Sequence, residues 1–159
     1  MKTLTVTEEH PPFPLRWIVA TDNQTAPLLV RIMLAFILFP HGAQKAFGWF
    51  GGYGFEGTMG FFTDTVHLPY LLGLGIIAIE LLSPFFLLLG LGTRVVSVLV
   101  GLLFIGIILT SHLEHGFFMN WDGDKPGEGF EYHLLVLTSA ASLLISGAGR
   151  FSLDQRLAK

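Results

Sequence analysis

The chain has 159 residues, of which 52% are hydrophobic and 13% charged. This charged fraction is about half of that in a typical soluble domain, so too little polar sequence remains to coat a soluble helical bundle. The net charge is only -3, which argues against nucleic acid as a partner. There is no cysteine, which excludes a dithiol mechanism within the chain and a thiolate metal site.

The apolar residues fall into four runs of about 17–24 residues, close to the roughly 20 that a helix needs to cross a bilayer. Each run is predicted to be a helix, because backbone polar groups in lipid must be satisfied within their own segment. The sequence therefore predicts an all-α membrane protein, a bundle of four transmembrane helices in one domain. The runs are 26–47, 68–91, 95–111 and 130–147.

The basic residues are distributed unevenly between the two faces of this bundle. Only Lys45 and Lys125 fall on the face opposite the termini, and cytoplasmic loops carry an excess of Lys and Arg. The bias predicts that both termini are cytoplasmic and that the longer loops, 48–67 and 112–129, face outward. The residues on the cytoplasmic face or the helix ends nearest it are Lys2, Arg16, Arg31, Arg94, Arg150, Arg156 and Lys159.

A carboxylate, Glu80, lies midway along the second apolar run. A charge there costs about 2.5–3.5 kcal/mol on insertion scales and persists where it faces a protein interior or water. Two interpretations are open: a structural contact with Lys45 or His41, or a functional role. Arg31 lies in the cytoplasmic half of the first apolar run, and its side chain is expected to extend to the cytoplasmic surface. The helical stripe that carries the carboxylate, and is predicted to face inward, is Gly73, Ile77, Glu80, Pro84 and Leu87.

Further polar groups, His41, Lys45 and His112, lie in the outer half of their runs. Small and hydroxylated residues mark helix contacts in membranes, so Glu131 is predicted to face inward with its stripe partners Thr138 and Ser142. His133, about 200° away on the same helix, is then expected at the interface or at a second contact. The predicted inward stripe of the third run is Ser97, Gly101, Ile105, Ile108, His112 and His115.

Residues 48–62 alternate glycine with aromatic residues, a composition typical of the bilayer interface. They are predicted to form a cap over the outer mouth of the bundle. For the polar groups of the bundle, three chemistries are open: a metal site, a proton relay and a site for a quinone headgroup. The metal site is the weakest of the three, because no H-x-x-x-H or E-x-x-H element occurs on one helix.

Several short motifs occur in a distinctive order. They are Arg31, His41-Gly42 with Lys45, Gly48-Trp49-Phe50-Gly51, Glu80, Leu89-Gly90-Leu91-Gly92-Thr93-Arg94, His112 with Gly116-Phe117, Glu131-Tyr132-His133-Leu134-Leu135, and the segment from Gly147 to Asp154. The order resembles the DoxX family of small four-helix proteins of the bacterial inner membrane. The resemblance implies a redox-associated bundle over residues 26–159, preceded by a variable cytoplasmic extension over residues 1–25.

Together, the residues and the resemblance predict a multi-pass protein in quinone-linked redox chemistry, as an oxidoreductase or a subunit of one. Its expected partners are the lipid bilayer, a quinone, and membrane or soluble redox proteins. Glu80 and His41 are predicted to be catalytic and to handle protons. The alternatives are a small-molecule or ion carrier and a non-catalytic scaffold for partner enzymes. The residues predicted to bind the ligand are His112, Glu131, Lys45, Trp49 and His133.

Overall fold

The computed structural model describes residues 13–159. This part of the chain is helical and contains no β-strand, so the all-helical prediction is confirmed for it. Residues 1–12, with Lys2, lie outside the described residues. The α-helices, α1 to α7 in chain order, are Phe13–Val19, Thr25–Phe47, Gly54–Gly60, Tyr70–Leu89, Thr93–Ile107, Glu131–Ser146 and Leu153–Leu157.

Four long helices pack side by side. The main contacts join α2 to α4 and α5 to α6, and further α4–α5 and α2–α6 contacts close the ring. Three helical segments, α2, α4 and α5 with its continuation to His115, are long and apolar enough to cross a membrane. The 16 residues of α6 extend about 24 Å, less than the roughly 30 Å of a hydrocarbon core.

Large apolar side chains cover the outer surface of the helices. Phe36 is 74% exposed, Leu71 79% and Ile145 79%. Isolated apolar residues are common on soluble proteins, but continuous apolar surfaces of this kind mark contact with lipid or with another protein. The outer surface therefore identifies a membrane protein.

The predicted inward stripe of α4 is confirmed, because all five of its residues are buried. The stripe predicted for α5 is wrong in part: Ser97 is buried, but Ile105 is 46% exposed. Gly101 has no neighbouring heavy atom within 4 Å of where a Cβ would stand, so this glycine does not mark a helix contact. The buried face of α5 is instead the larger apolar set Val96, Val100, Leu103 and Phe104, with Thr93 and Ser97.

The two ends of the bundle are built from different segments. One end, here called the terminal end, holds α1, the turn 90–92 and α7. The other, the loop end, holds segments 48–69 and 116–130. At the terminal end, the Asp154 amide donates to the Gly90 carbonyl at 2.9 Å, and the Gly149 amide donates to Thr21 Oγ1 at 2.6 Å. These bonds join segments that are far apart in the sequence.

Part of the expected N-terminal extension packs onto the bundle. Helix α1 contacts α5 and α7, and Val19 at its end is 2% exposed. The Arg94 side chain donates from Nε to the Ala20 carbonyl at 3.1 Å, and its guanidinium lies over the Trp17 ring at 5.3 Å. Residues from 13 onward thus pack as a continuation of the helical domain.

Arg31 does not extend to the surface as expected. Its side chain is 1% exposed, and all five of its N–H groups donate to backbone carbonyls. A guanidinium at this depth stays in place because the helix ends and loop around it supply acceptors. The bonds run from Nε to Ala148 (2.9 Å), from Nη1 to Leu87 (2.7 Å) and Leu88 (2.6 Å), and from Nη2 to Arg150 (3.1 Å) and Phe151 (2.8 Å).

These acceptors explain why the arginine binds there. The carbonyls of Leu87 and Leu88 belong to the last turn of α4, where the helix dipole favours a cation. The Leu87 carbonyl also accepts from the Gly90 amide at 3.1 Å. Phe151 has a φ of 53°, a strained value for a residue other than glycine, and the bond to its carbonyl holds that backbone in place. Asp154 completes the end by accepting from the Gly92 amide at 2.7 Å and the Thr93 amide at 2.9 Å.

We expect Arg31→Met to lower the free energy of unfolding by about 3 kcal/mol or more, because it leaves several buried carbonyls without a donor. Arg150→Met is the matched control, since Arg150 lies in the same loop with an exposed side chain. Thermal unfolding in mild detergent measures both. Equal melting temperatures for the two variants would contradict a stabilising role for Arg31.

Candidate functional site

The centre of the candidate site is an ion pair between α2 and α4. Lys45 Nζ lies 2.5 Å from Glu80 Oε2, and Glu80 as a whole is 2% exposed. The contact is electrostatic, because Oε2 has no partner with hydrogen-bond geometry in the described part of the chain. The Lys45 side chain is 25% exposed, so its ammonium connects the buried carboxylate to more accessible space.

A glycine allows the two helices to come this close. Gly42 lies one turn before Lys45, and a Cβ on it would stand 2.5 Å from the Glu80 carbonyl oxygen and 2.7 Å from Leu81 Cα. Both of these atoms belong to the backbone of α4, so no side-chain rotation could make room. The His41-Gly42 motif with Lys45 thus encodes the α2–α4 approach that forms the ion pair.

Tyr132, in the first turn of α6, belongs to the site although the sequence pattern did not single it out. Its ring centroid lies 6.3 Å from that of His41 and 5.3 Å from that of His133. Its hydroxyl is buried and finds no hydrogen-bond partner among residues 13–159. His41 lies one turn before Lys45 on α2, and Lys45 pairs with Glu80, so α2, α4 and α6 direct polar groups to one region.

His41 itself is exposed, so the bundle does not enclose it. Helix α6 begins only at Glu131, so its first turn, through Tyr132, is the part that packs beside His41. His41 thus lies at the edge of the polar region, and Glu80 at its buried centre.

Two histidines extend the polar region toward the loop end. The ring centroids of His112 and His133 are 4.1 Å apart, and His112 Nδ1 is hydrogen-bonded to the Glu128 carbonyl at 2.8 Å. His112 ends a π-helical turn, Ile108–His112, and such turns are frequent at functional sites. His133 is 6% exposed, and its Nδ1 makes no hydrogen bond within the described residues.

The predicted orientation of α6 is wrong. His133 is buried, whereas Thr138 and Ser142 are exposed. The Thr138 hydroxyl donates to the Leu134 carbonyl at 2.8 Å, one turn earlier, and so needs no partner on another helix. Glu131 is directed at the loop, where it accepts from the Met119 amide at 3.1 Å and from Trp121 Nε1 at 3.4 Å. The buried face of α6 is His133, Val136, Ala140 and Leu143.

The cap predicted over residues 48–62 folds as a 3-10 turn, Trp49–Gly51, followed by α3. Its large aromatic side chains face outward: Trp49 is 54% exposed and Tyr53 87%. The buried members are Thr58 and Met59. Trp49 packs on Phe47 with ring centroids 5.3 Å apart, so the structure does not bring it to the ion pair.

A cavity of about 490 Å³ lies between this cap and the end of α2. Lys45 is among the residues that line it, so the residue that pairs with Glu80 also borders the cavity. Its wall combines backbone from the glycine-rich segment with three aromatic rings. The lining residues are Gln44, Lys45, Gly51, Gly52, Tyr53, Gly57, Thr58, Phe61 and Phe62.

Two other features bear on the site. A second cavity, of about 450 Å³, lies among α1, α4, α5 and α7 and has an almost wholly apolar wall. Between residues 13 and 159, no three His, Asp or Glu side chains are grouped to hold a metal ion.

The fold and the site define an all-helical membrane protein with a buried cluster of acid–base groups. Residues 26–113 match the family model described as DoxX. The chain is also 36% identical over 127 residues to the protein named "Putative oxidoreductase CatD" of Bacillus subtilis (strain 168), covering 80% of this chain and 83% of that protein. No solved structure matches the chain. The chain belongs to the DoxX family.

Gly42→Ala is expected to lower the free energy of unfolding by about 1–3 kcal/mol, because the added methyl group collides with the backbone of α4. Gly101→Ala is the control, since the space beside Gly101 is open, and removing a helix-interior glycine there should add about 0.5–1 kcal/mol. Chemical unfolding of the two variants measures the difference. A Gly42→Ala variant as stable as Gly101→Ala would show that the helices do not need this close approach.

Proposed function

We propose that this protein is a multi-pass protein of the bacterial inner membrane that serves quinone-linked redox chemistry, as an oxidoreductase or a subunit of one. The observation that carries the proposal is the Lys45–Glu80 pair: a buried carboxylate joined to a lysine that borders a cavity. The printed name of the relative from Bacillus subtilis, an oxidoreductase, is consistent with redox chemistry.

The proposed topology has four spans. The first three are the long apolar segments of α2, α4 and α5, and α6 with its flanking residues 130–147 is the fourth. A tilt or local thinning of the bilayer accommodates the short α6. The excess of Lys and Arg at the terminal end places both termini in the cytoplasm, so the loop end faces outward. The transmembrane domain then covers residues 26–159.

The cavity beneath the cap suits a flat ring that carries acceptor oxygens. Ligand pockets typically combine apolar and aromatic walls with a few polar groups that fix orientation. Here Tyr53, Phe61 and Phe62 supply the aromatic wall, and Lys45 supplies a charged donor for one ring oxygen. A quinone dissolved in the bilayer reaches such a cavity directly from the lipid.

Reduction of a quinone adds two electrons and two protons to its two carbonyl oxygens. In the proposed reaction the electrons come from a redox partner protein, this chain supplies the proton for the ring oxygen that faces Lys45, and the other oxygen takes its proton from solvent. Lys45 donates that proton, and Glu80, which is ionised in the pair, takes up a proton and returns it to Lys45. His41, at the exposed edge of the region, is a further acid–base group close to Glu80.

The orientation is tested with single cysteines, because the chain contains none of its own. Asp124→Cys and Ala158→Cys both fall at exposed positions, one in the loop-end segment and one after α7. A membrane-impermeant thiol reagent added to sealed spheroplasts should label the first, and should label the second only after permeabilisation. Labelling of position 158 in sealed spheroplasts would reverse the topology.

Quinone binding is tested with menadione, a naphthoquinone without a long isoprenoid tail, by titration calorimetry in detergent. Lys45→Met should weaken binding about tenfold or more, because a charge-assisted hydrogen bond contributes about 1.5–3 kcal/mol. Tyr53→Leu should also weaken it, and this exposed position leaves the fold intact.

Trp49→Leu is the control within the same segment, since Trp49 is exposed and does not line the cavity. It should bind menadione like the wild type. Failure of the wild type to bind menadione would refute the proposed function. Binding that is indifferent to both Lys45→Met and Tyr53→Leu would refute the proposed position of the ring.

A further inference from the structure

Quinone reduction in the cavity beneath the cap consumes protons, and the loop end holds a row of acid–base groups that leads toward it. We infer that His112, His133 and Tyr132 form a proton path from the loop-end surface to the Glu80–Lys45 pair. The inference rests on the proposed function and deepens it, by assigning the source of the protons.

The outer end of the path is His112. Its side chain is half-buried, and its Nδ1 is hydrogen-bonded to the carbonyl of Glu128, a residue exposed in the loop-end segment. The imidazole therefore has one nitrogen held by the loop, which orients the ring, while the ring packs against His133 with a centroid distance of 4.1 Å. An imidazole can accept and release a proton at its ring nitrogens.

The middle of the path is formed by His133 and Tyr132, whose rings are 5.3 Å apart. His133 Nδ1 and the Tyr132 hydroxyl are both buried and lack hydrogen-bond partners in the described chain. Leaving such a group unsatisfied is unfavourable, because its bonds to water are lost and not replaced. Water molecules that bridge the two groups would offset this cost and connect them.

The inner end of the path is Glu80. The Tyr132 ring packs beside His41, one turn before Lys45 on α2, and Lys45 pairs with Glu80. Lys45 also lines the cavity. Acid–base groups thus follow one another from the exposed loop, through the first turn of α6, to the cavity wall.

The charged and titratable groups around His133 come from each neighbouring element. Helix α2 contributes His41, the end of the α5 segment contributes His112, and α4 contributes Glu80 on the far side of Tyr132. On α6 itself, Glu131 is occupied by the loop through Met119 and Trp121. The proton exchange assigned to His133 is therefore with His112 and Tyr132.

Each step of the path conserves protons. His112, whose Nδ1–H donates to the Glu128 carbonyl, accepts and releases the proton at Nε2. His133 then accepts a proton on one ring nitrogen and releases one from the other. The Tyr132 hydroxyl passes its proton to Glu80 and takes the next one from His133. Lys45 transfers a proton to the ring oxygen and is reprotonated by Glu80. One passage protonates the ring oxygen that faces Lys45, the other oxygen takes its proton from solvent, and two electrons from the redox partner protein complete the conversion of one quinone to one quinol.

The test is voltammetry of the detergent-purified chain carrying menadione on an electrode, which supplies the electrons directly. His133→Ala should bind menadione within about twofold of the wild type, yet reduce it about tenfold or more slowly. Added imidazole should restore part of the rate, which loss of a merely structural histidine would not allow. Tyr132→Phe should be as slow without rescue, and it should fold, because it removes only a hydroxyl that has no partner among residues 13–159.

His115→Ala is the matched control. His115 is a half-buried histidine at the same end, 3.7 Å from Glu114, and it lies outside the path. It should leave both binding and rate unchanged. Wild-type reduction rates in His133→Ala and Tyr132→Phe would overturn the path and leave the proposed function standing. A wild type that does not bind menadione would overturn the proposed function, and the path with it.

Discussion

The buried guanidinium of Arg31 is the interaction on which the rest of the bundle depends. It is permanently charged, and a lipid environment offers no water to solvate it, so its surroundings must supply every acceptor. Five backbone carbonyls do so, and they come from the end of α4 and from the loop between α6 and α7. One side chain of α2 thereby fixes two other parts of the chain. Asp154 extends the same arrangement to the start of α5.

Toward the loop end, by contrast, several buried polar groups lack hydrogen-bond partners within residues 13–159. There the Glu80–Lys45 contact lacks hydrogen-bond geometry, and Tyr132 and His133 carry buried polar atoms without partners in the part of the chain that the structure describes. A polar network that is fully satisfied makes a fold rigid, whereas buried unsatisfied groups call for a bound ligand, water or a catalytic role. The buried polar groups without partners in the described chain mark the candidate site. The satisfied hydrogen bonds at the terminal end hold together the helices that form it.

Sequence patterns predicted the parts of the fold that hydrophobicity controls: four apolar helices, and the inward stripe of α4 that buries Glu80. The sequence patterns failed where hydrogen bonds determine the position of a side chain. Arg31 was expected at the surface, because no sequence periodicity reveals that its acceptors are backbone carbonyls from distant segments. Glu131 was preferred to His133 because the hydroxyl groups of Thr138 and Ser142 suggested an interhelical face, yet Thr138 bonds within α6 and Ser142 is exposed. Trp49 was assigned from composition alone, and its backbone turns it outward.

The central claim is that the Lys45–Glu80 pair is a buried functional centre, and a double-mutant cycle tests it most directly. Lys45→Met and Glu80→Gln, each alone, should lower the free energy of unfolding by about 3 kcal/mol, because each disrupts a buried pair. The double variant should recover most of that stability, while losing menadione binding, since both charges are then absent. A double variant that binds menadione as tightly as the wild type would contradict the claim and leave the pair a purely structural contact.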